Sequence, residues 1–182
     1  MDTSVSPVEL SGERLLLRLP DERDVDAVFR ACQDAEIQRW IPVPVPYERA
    51  HAVDYVSSRP QRWAAEDGEM SFAVTDASDG SLLGMVGLHA RDATMREIGF
   101  WTAPWARGQG VMSEAARMVC RFGFEVLGLA RIEWWAVVGN EASWRVAERL
   151  GFRREGTCRA RLLHRGERLD AWVAGLLPGD LT

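Results

Sequence analysis

The sequence predicts a mixed α/β fold in which helices cover a mostly antiparallel sheet, and three observations indicate it. Apolar segments of strand length, bounded by turn residues, alternate with longer segments of helical periodicity. Three strand segments follow one another with only turns between them, which is typical of an antiparallel meander. A strand–helix–strand unit in the middle of the chain implies at least one parallel pair, because a crossover joins parallel strands. With 182 residues, 47% of them apolar, we expect a single domain over residues 1–182.

The first third of the chain is predicted to hold one strand, two helices and a proline-rich loop. Residues 13–20 form a strand segment that ends in proline, and Asp21 can cap a helix that reaches about residue 35. Alternating prolines after Trp40 fix φ and remove N–H donors, so they predict an extended or turning loop. This loop is either a connector or a semi-rigid pocket wall with Trp40 as its apolar face. A second helix is predicted over residues 47–66, interrupted near its proline.

The rest of the chain contributes the meander, the crossover unit and a closing hairpin. The predicted strands are residues 70–76, 81–90, 95–102, 131–138, 153–164 and 168–176. The predicted helices are residues 111–127 and 140–150. The complete order is β-α-α-β-β-β-α-β-α-β-β, which gives a sheet of seven strands.

Charge and cysteine content exclude several classes of function. A net charge of -5 argues against a protein that binds duplex nucleic acid, which needs excess basic residues to neutralise phosphates. The three cysteines, Cys32, Cys120 and Cys158, are widely spaced and match neither a zinc site nor a disulfide framework. We therefore expect reduced thiols, no metal and a cytoplasmic location. The start of the chain lacks the features of a secretory signal, and no apolar run is long enough to span a membrane.

The segment from Glu97 to Ser113 carries the strongest functional signal. It is predicted as a strand, a loop with Gly108 and Gly110, and the start of a helix. Glycines allow close approach to a ligand, and free N–H groups at a helix N-terminus favour an anion such as a diphosphate. The loop lacks the lysine of a P-loop, and it has Ser113 in place of the third glycine of a Rossmann fingerprint. By itself, the Gly-x-Gly pattern fits a tight turn before a helix equally well.

This loop resembles the pyrophosphate loop of GCN5-related N-acetyltransferases, Gln/Arg-x-x-Gly-x-Gly/Ala, except that Trp105 occupies its first position. Three further features resemble the RimJ/RimL branch of ribosomal-protein N-acetyltransferases. They are Asn140-x-x-Ser143, a following helix that ends in Leu-Gly-Phe, and a later Glu-Gly. The resemblance extends from about residue 11 to residue 180. It implies the GNAT fold, with a V-shaped cleft between the fourth and fifth predicted strands. It also implies acetyl-CoA as co-substrate and a primary amine as acceptor.

Each predicted site residue receives a role from the resemblance. The residues expected to contact coenzyme A are Phe100, Trp101, Thr102, Arg107, Gly108, Gln109, Gly110, Val111, Met112, Ser113, Asn140 and Ser143. Glu97 is the candidate base, with an ordinary solvent-facing glutamate as the alternative and His89 as a second candidate. Ser143 is the candidate donor to the departing sulfur. Alternatively, Asn140 and Ser143 only satisfy the free N–H groups at the start of a helix.

Trp40, Glu97 and Trp135 are expected to contact the acceptor. Trp134 and Trp135 point to opposite faces of one strand, so one of them is expected in the core. The acceptor is either a protein N-terminal α-amine or a small-molecule amine. A catalytically silent CoA-binding module stays open, as does a larger acyl donor such as succinyl-CoA. A nucleotide-binding regulator is disfavoured, because the loop matches neither the P-loop nor the Rossmann pattern. The sequence also leaves a homodimer open.

Overall fold

In the part of the chain that the structure describes, the protein is built around one eight-stranded sheet. The computed structural model describes residues 6–65 and 68–182. The spatial order of the strands is β1-β2-β3-β4-β5-β6-β8-β7. Only the β5–β6 pair is parallel among the strand pairs of the described residues. The strands are β1 (Leu10–Ser11), β2 (Leu15–Arg18), β3 (Glu69–Asp76), β4 (Leu82–Ala90), β5 (Met95–Thr102), β6 (Arg131–Val137), β7 (Arg153–His164) and β8 (Glu167–Leu176).

Helices pack on both faces of the sheet. One apolar cluster joins α1 and α3 to the sheet face that carries Ala73 and Met85. A larger cluster joins α5 and α6 to the opposite face, where Phe72, Ile98 and Trp134 are buried. The helices are α1 (Val25–Ala31), α2 (Ala35–Trp40), α3 (Arg49–Ser57), α4 (Arg59–Ala64), α5 (Val111–Glu125) and α6 (Glu141–Arg149). The two faces of the sheet are therefore two separate chemical environments.

The predicted fold class is confirmed, but the predicted strand count of seven is wrong. The additional strand, β1, has only two residues, and they pair with Leu17 and Leu16 of β2. A segment that short has no periodicity from which a strand could be predicted. Because β1 precedes all the others, the predicted fourth and fifth strands are β5 and β6 in the structure.

The predicted helix over residues 21–35 is also wrong as one continuous element. A short 3₁₀ helix, Glu22–Asp24, leads into α1, and α2 begins anew after Asp34. The Asp34 carboxylate accepts a hydrogen bond from the backbone N–H of Ile37 and so caps α2. The helix predicted over residues 47–66 is divided into α3 and α4, with proline in the first turn of α4, where its missing N–H costs no hydrogen bond. Residue 66, the end of this predicted helix, and the start of the chain, where the sequence lacks the features of a secretory signal, lie outside the described residues.

A buried ion pair connects β2 to the first helical turn. The Arg18 guanidinium donates to both carboxylate oxygens of Asp24, at 2.8 and 2.9 Å. Both residues are buried, and Arg18 also reaches Asp21. A bidentate pair of this kind compensates for the desolvation of both charges only because each has its partner. It fixes the position of α1 relative to the sheet.

Candidate functional site

The strands β5 and β6 separate partway along their length. They pair in parallel from Met95 opposite Arg131 to Ile98 opposite Trp134, and no pairing between them continues beyond that point in the described residues. On its other side, β5 stays paired with β4 as far as Thr102. The facing edges of residues 99–102 and 135–137 thus border a V-shaped cleft. Backbone groups at such an edge can pair with an extended ligand that carries amides.

The glycine loop lies between the end of β5 and the start of α5. Gly108 and Gly110 have φ values of 75° and 73°, a region that favours glycine. Among the described residues, a Cβ at Gly108 would meet no atom within 4 Å, and one at Gly110 would meet only the Arg14 guanidinium, at 3.7 Å. Gly110 is also the N-cap of α5 and provides no side chain to satisfy the first N–H groups. An open backbone at a helix N-terminus suits a diphosphate.

Two arginine side chains hold this loop in place. Arg14 donates to the carbonyl oxygen of Gln109 and forms an ion pair with Glu114 at 2.5 Å. Arg107 pairs with Asp34 at 2.5 Å, and this hydrogen bond holds the pKa of the Asp34 carboxyl below its ordinary value. Arg107 therefore already has a carboxylate partner.

Trp105 has a structural role in this loop. Its indole N–H donates to the carbonyl oxygen of Leu82 at 2.8 Å, and the Arg30 guanidinium lies 4.4 Å from its ring centre. Trp105, the residue that departs from the Gln/Arg pattern, therefore anchors the loop to β4 and α1. The glycines that follow keep their open backbone.

The first residues of α5 can contact a ligand mainly through their backbone. Val111, Met112 and Ser113 are all buried. Trp101 similarly packs its side chain against the cluster under α1 and α3, whereas Phe100 packs against the cluster on the α5 face. For these predicted CoA contacts, the structure leaves the N–H and carbonyl groups as the available partners.

A row of charged side chains lies on the sheet face that carries α3. Residues that are paired across neighbouring strands share one face of the sheet. In this row they are Glu69 on β3, His89 on β4, Glu97 on β5 and Glu133 on β6. Glu97 forms an ion pair with Arg91. Glu97 and Glu133 are paired opposite each other, one residue before the vertex of the cleft at Ile98 and Trp134.

His89 lies between two elements of this row. Its Nδ1 is 3.8 Å from the Glu69 carboxylate, and its Nε2 would be 3.0 Å from a Cβ at Gly99. The imidazole thus extends over β5, just beyond the vertex of the cleft. Burial raises the pKa of Glu69, but the charges of His89 and Arg59 and a hydrogen bond from Ser71 outweigh it, and the pKa is below its ordinary value.

The predicted acceptor contacts lie on β5, on β6 and beside the loop that follows β6. The Trp135 indole N–H donates to Glu133 at 3.0 Å, and the Arg161 guanidinium lies 4.8 Å from the Trp135 ring centre. Trp40 ends α2, and its ring is 4.0 Å from the position of a Cβ at Gly139. Trp40 therefore lies near the β6–α6 connection. Glu97 and Trp135 are connected through Glu133, which is opposite Glu97 and accepts the hydrogen bond from Trp135.

Ser143 lies on the opposite face of the sheet, in the first turn of α6. The Asn140 side-chain oxygen accepts from the Ser143 backbone N–H at 3.3 Å, as a helix cap does. The Ser143 hydroxyl oxygen instead accepts from the indole N–H of Trp134 at 3.0 Å. Trp134 is 1% exposed, so it is the core member of the tryptophan pair.

Other features of the surface do not coincide with this cleft. A cavity of about 600 Å³ lies between β2, α1 and Trp105, and none of the predicted site residues lines it. In its lining, Arg18 and Asp24 form an ion pair with each other. Within residues 6–65 and 68–182, no group of three His, Cys, Asp or Glu side chains could hold a metal ion. No helix in these same ranges combines the length and the apolar character needed to cross a membrane.

Comparison with known families decides between the functions that this geometry could serve. A model of the acetyltransferase (GNAT) domain matches residues 14–153. The chain belongs to the GNAT acetyltransferase family. Members of this family use acetyl-CoA, so the predicted N-acetyltransferase class and its co-substrate are confirmed.

Individual GNAT relatives are bacterial proteins. YoaA of Bacillus subtilis, named an uncharacterized N-acetyltransferase, is 29% identical over 173 residues, or 92% of this chain and 96% of that protein. The "Putative ribosomal N-acetyltransferase YdaF" of the same organism is 43% identical over 101 residues. That match spans 54% of this chain and 55% of YdaF, about half of each.

Solved GNAT structures agree with the fold. An acetyltransferase of the GNAT family from Bacillus anthracis aligns with a TM-score of 0.83 and 27% identity, over 93% of this chain and 98% of that one. RimL, a ribosomal L7/L12 α-N-protein acetyltransferase in complex with coenzyme A, aligns with a TM-score of 0.81 over 93% and 98% of the two chains. At 19% identity, the likeness to RimL concerns the fold.

Four contacts at the site were not foreseen from the sequence. They are the anchors Arg14 and Arg91, the ring contact of Arg161, and the hydrogen bond from Trp134. Arg14 lies 95 positions from Gln109, so no local pattern could connect them. For Trp134, strand alternation predicted burial of one tryptophan of the pair, but alternation does not identify a hydrogen-bond partner.

Proposed function

We propose that the protein transfers an acetyl group from acetyl-CoA to a primary amine by direct attack within a ternary complex. The observation that carries the proposal is the cleft between β5 and β6, which ends beside an open glycine loop at the start of α5. Glu97 and Ser143 belong to opposite faces of the sheet on either side of this cleft. A thioester held between the separated strands would therefore be within range of different groups on its two sides.

The glycine loop is proposed to bind the diphosphate of coenzyme A. Gly108 and Gly110 leave the backbone accessible, and the first N–H groups of α5 supply hydrogen bonds and the positive end of the helix dipole. The edge of β5 at residues 100–102 is proposed to pair with the amides of the pantetheine arm. Asn140 caps α6 through its oxygen, and its amide nitrogen is proposed to donate to the same arm.

Glu97 is proposed to accept the proton that the amine must lose. An α-amine has a pKa near ~8 and a lysine amine near ~10.4, so most of either is protonated at neutral pH. A carboxylate one residue before the vertex of the cleft can attract this ammonium group and take its proton directly or through water. His89 is the second candidate, because its Nε2 extends over β5 at Gly99.

Ser143 is proposed to donate a hydrogen bond to the sulfur that leaves. The amine nitrogen forms a bond to the acetyl carbon, the carbon–sulfur bond breaks, and its electron pair stays on sulfur. The second proton, which nitrogen loses after the attack, goes to the thiolate or to water. A hydroxyl donor stabilises that developing charge by about 1–3 kcal/mol. Asn140 accepts a helix N–H, as the capping alternative expects, whereas the hydrogen bond that the Ser143 hydroxyl oxygen accepts in the described residues comes from the Trp134 indole.

The acceptor is proposed to be a protein N-terminal α-amine, with ribosomal proteins as the first candidates. The names of YdaF and RimL support this choice. We further propose a cytoplasmic enzyme with a single domain over residues 1–182. A small-molecule amine, a larger acyl group and a homodimer are the alternatives to be tested.

A thiol-release screen tests the proposal. Acetyl-CoA and succinyl-CoA are each offered with amino acids, dipeptides and peptides that copy ribosomal N-termini, and free CoA is measured. We expect release with acetyl-CoA that depends on a free α-amine and is lost when the peptide is already acetylated. All 22 basic residues are arginine, so the enzyme has no lysine amine that could consume the acetyl group. Tight binding of acetyl-CoA without turnover on any amine would instead identify a silent CoA-binding module.

A further inference from the structure

The hydrogen bond between Trp134 and Ser143 restricts what the serine hydroxyl can do. The indole N–H of Trp134 donates to the hydroxyl oxygen of Ser143 at 3.0 Å. An indole nitrogen is only a donor, so the serine oxygen must be the acceptor in this contact. The hydroxyl hydrogen then has to point elsewhere.

Nothing else in the described residues takes that hydrogen. The hydrogen bonds recorded there for Ser143 are the one from Trp134 and the backbone one to Asn140. The side chain is half-buried, beside the end of the β5–β6 pairing, because Trp134 is the last residue of β6 to pair with β5. The free hydrogen is therefore available to a ligand in the cleft.

We propose that Trp134 is a positioning residue, whose indole N–H orients the Ser143 hydroxyl so that it donates to the sulfur of coenzyme A. The inference rests on the proposed function, since it needs CoA in the cleft. Trp134 does not touch the substrate and acts only through Ser143. A serine without this partner would rotate among several rotamers and present its lone pairs as often as its hydrogen.

The competing explanation is that Trp134 only fills the core. It is 1% exposed, and its ring packs against Trp144 with 5.4 Å between ring centres. Trp134→Phe keeps most of this packing and removes the N–H. Trp63→Phe is the matched control, because Trp63 is equally buried and its indole nitrogen has no hydrogen-bond partner in the described residues.

The measurement is the pKa of the CoA thiol bound to the enzyme, read from the ultraviolet absorbance of the thiolate during a pH titration. A donor aimed at sulfur stabilises the thiolate and lowers this pKa. We expect Trp134→Phe and Ser143→Ala each to reduce the thiolate fraction at a fixed pH by about 2–10-fold. The double variant should be no worse than Ser143→Ala alone, and Trp63→Phe should match the wild type.

Two results overturn the inference and leave the proposed acetyl transfer itself intact, although the first also removes the role proposed for Ser143. One is a pKa of the bound CoA thiol that is the same in the wild type and in Ser143→Ala. This variant keeps the Asn140 cap, and its result does not depend on whether Trp134→Phe folds. The other is an effect of Trp134→Phe that adds in full to that of Ser143→Ala, since independent effects add and coupled ones do not. If CoA does not bind to the wild type at all, the proposed function fails together with the inference.

Discussion

In the described residues, the side chains of Glu97 and Ser143 each bind one neighbouring side chain. The two contacts have opposite effects on whether the residue is available to a substrate. Trp134 occupies a lone pair of Ser143 and leaves its hydrogen free. Arg91 pairs with the carboxylate of Glu97 and competes with an incoming ammonium group for it. A base in this position must therefore exchange its arginine for the substrate. Such an exchange is feasible because ion pairs at a partly exposed site are worth little.

We expect Glu97→Gln to lose more rate at pH 7 than at pH 9. At pH 7 most of an α-amine is protonated and needs a base, whereas at pH 9 most of it is already neutral. The loss at pH 7 should be about 10²-fold or more, as for other general bases. The measurement is kcat/KM for a peptide acceptor across this pH range.

His89→Gln is the companion variant for that experiment. His89 lies directly opposite Glu97 on the neighbouring strand. The variant therefore measures how the rate responds when another polar residue of the same row is changed. We expect a smaller loss that is the same at both pH values. The reverse pattern, with the pH-dependent loss in His89→Gln and a uniform loss in Glu97→Gln, would transfer the role of base to His89.

The element that carries co-substrate binding is the turn from β5 into α5. Its two glycines with positive φ provide an accessible backbone, and contacts from Arg14, Arg107 and Trp105 fix its course. These contacts connect the loop to the residue before β2, to the N-cap of α2 and to β4, so the fold itself positions the loop. Preorganisation of this kind lowers the entropy lost on binding.

Gly110→Arg is expected to abolish measurable acetyl-CoA binding. The substitution places a side chain where the diphosphate is proposed to lie, and it strains a backbone with φ of 73°. Gly80→Arg is the matched control, since Gly80 has φ of 75° and open surroundings in the β3–β4 turn. Calorimetry should give wild-type affinity for Gly80→Arg. Equal affinity in all three proteins would remove the diphosphate from this loop.

How far the sequence predicts an element depends on whether its signal is local. The strands β5 and β7 were predicted with the bounds they have, because turn residues flank them on both sides. The break between α1 and α2 was missed, since the helical pattern continues across it and only the cap formed by Asp34 divides it. Contacts between distant segments, such as Arg107 with Asp34, have no local signal at all.

At the scale of the whole molecule, the two faces of the sheet carry different residues of the candidate site. One face holds the row of Glu97 and His89, and the other holds Ser143 and the larger core. The two faces become accessible to one ligand where β5 and β6 separate. The fold class could be predicted from element order, but the faces of individual side chains required the observed register.

Stability is also a property of the whole molecule, and its dependence on pH follows from groups on both faces. A hydrogen bond from Arg23 lowers the pKa of Asp21 to about 2, and one from Arg131 lowers that of Glu155. In this acid range the unfolded chain binds more protons than the folded one, so stability present above about pH 4 is lost as the pH falls towards 2. Burial raises the pKa of the Cys32 thiol from 9.0 to about 11 and raises that of Cys120 as well. For these thiols stability is complete below pH 9 and is lost as the pH rises towards 11.

We therefore expect a plateau of thermal stability between about pH 5 and pH 8 with a fall on both sides. Thermal unfolding followed by circular dichroism from pH 2 to pH 11 measures it. Asp21→Asn should flatten part of the acid limb and leave the alkaline limb unchanged, because it removes one carboxylate whose pKa is lowered on folding. Asp26→Asn, at an exposed carboxylate that pairs with Arg49, is the matched control and should change the curve little. A melting temperature that rises below pH 4 would contradict the assigned directions, since it would require the folded chain to bind more protons than the unfolded one.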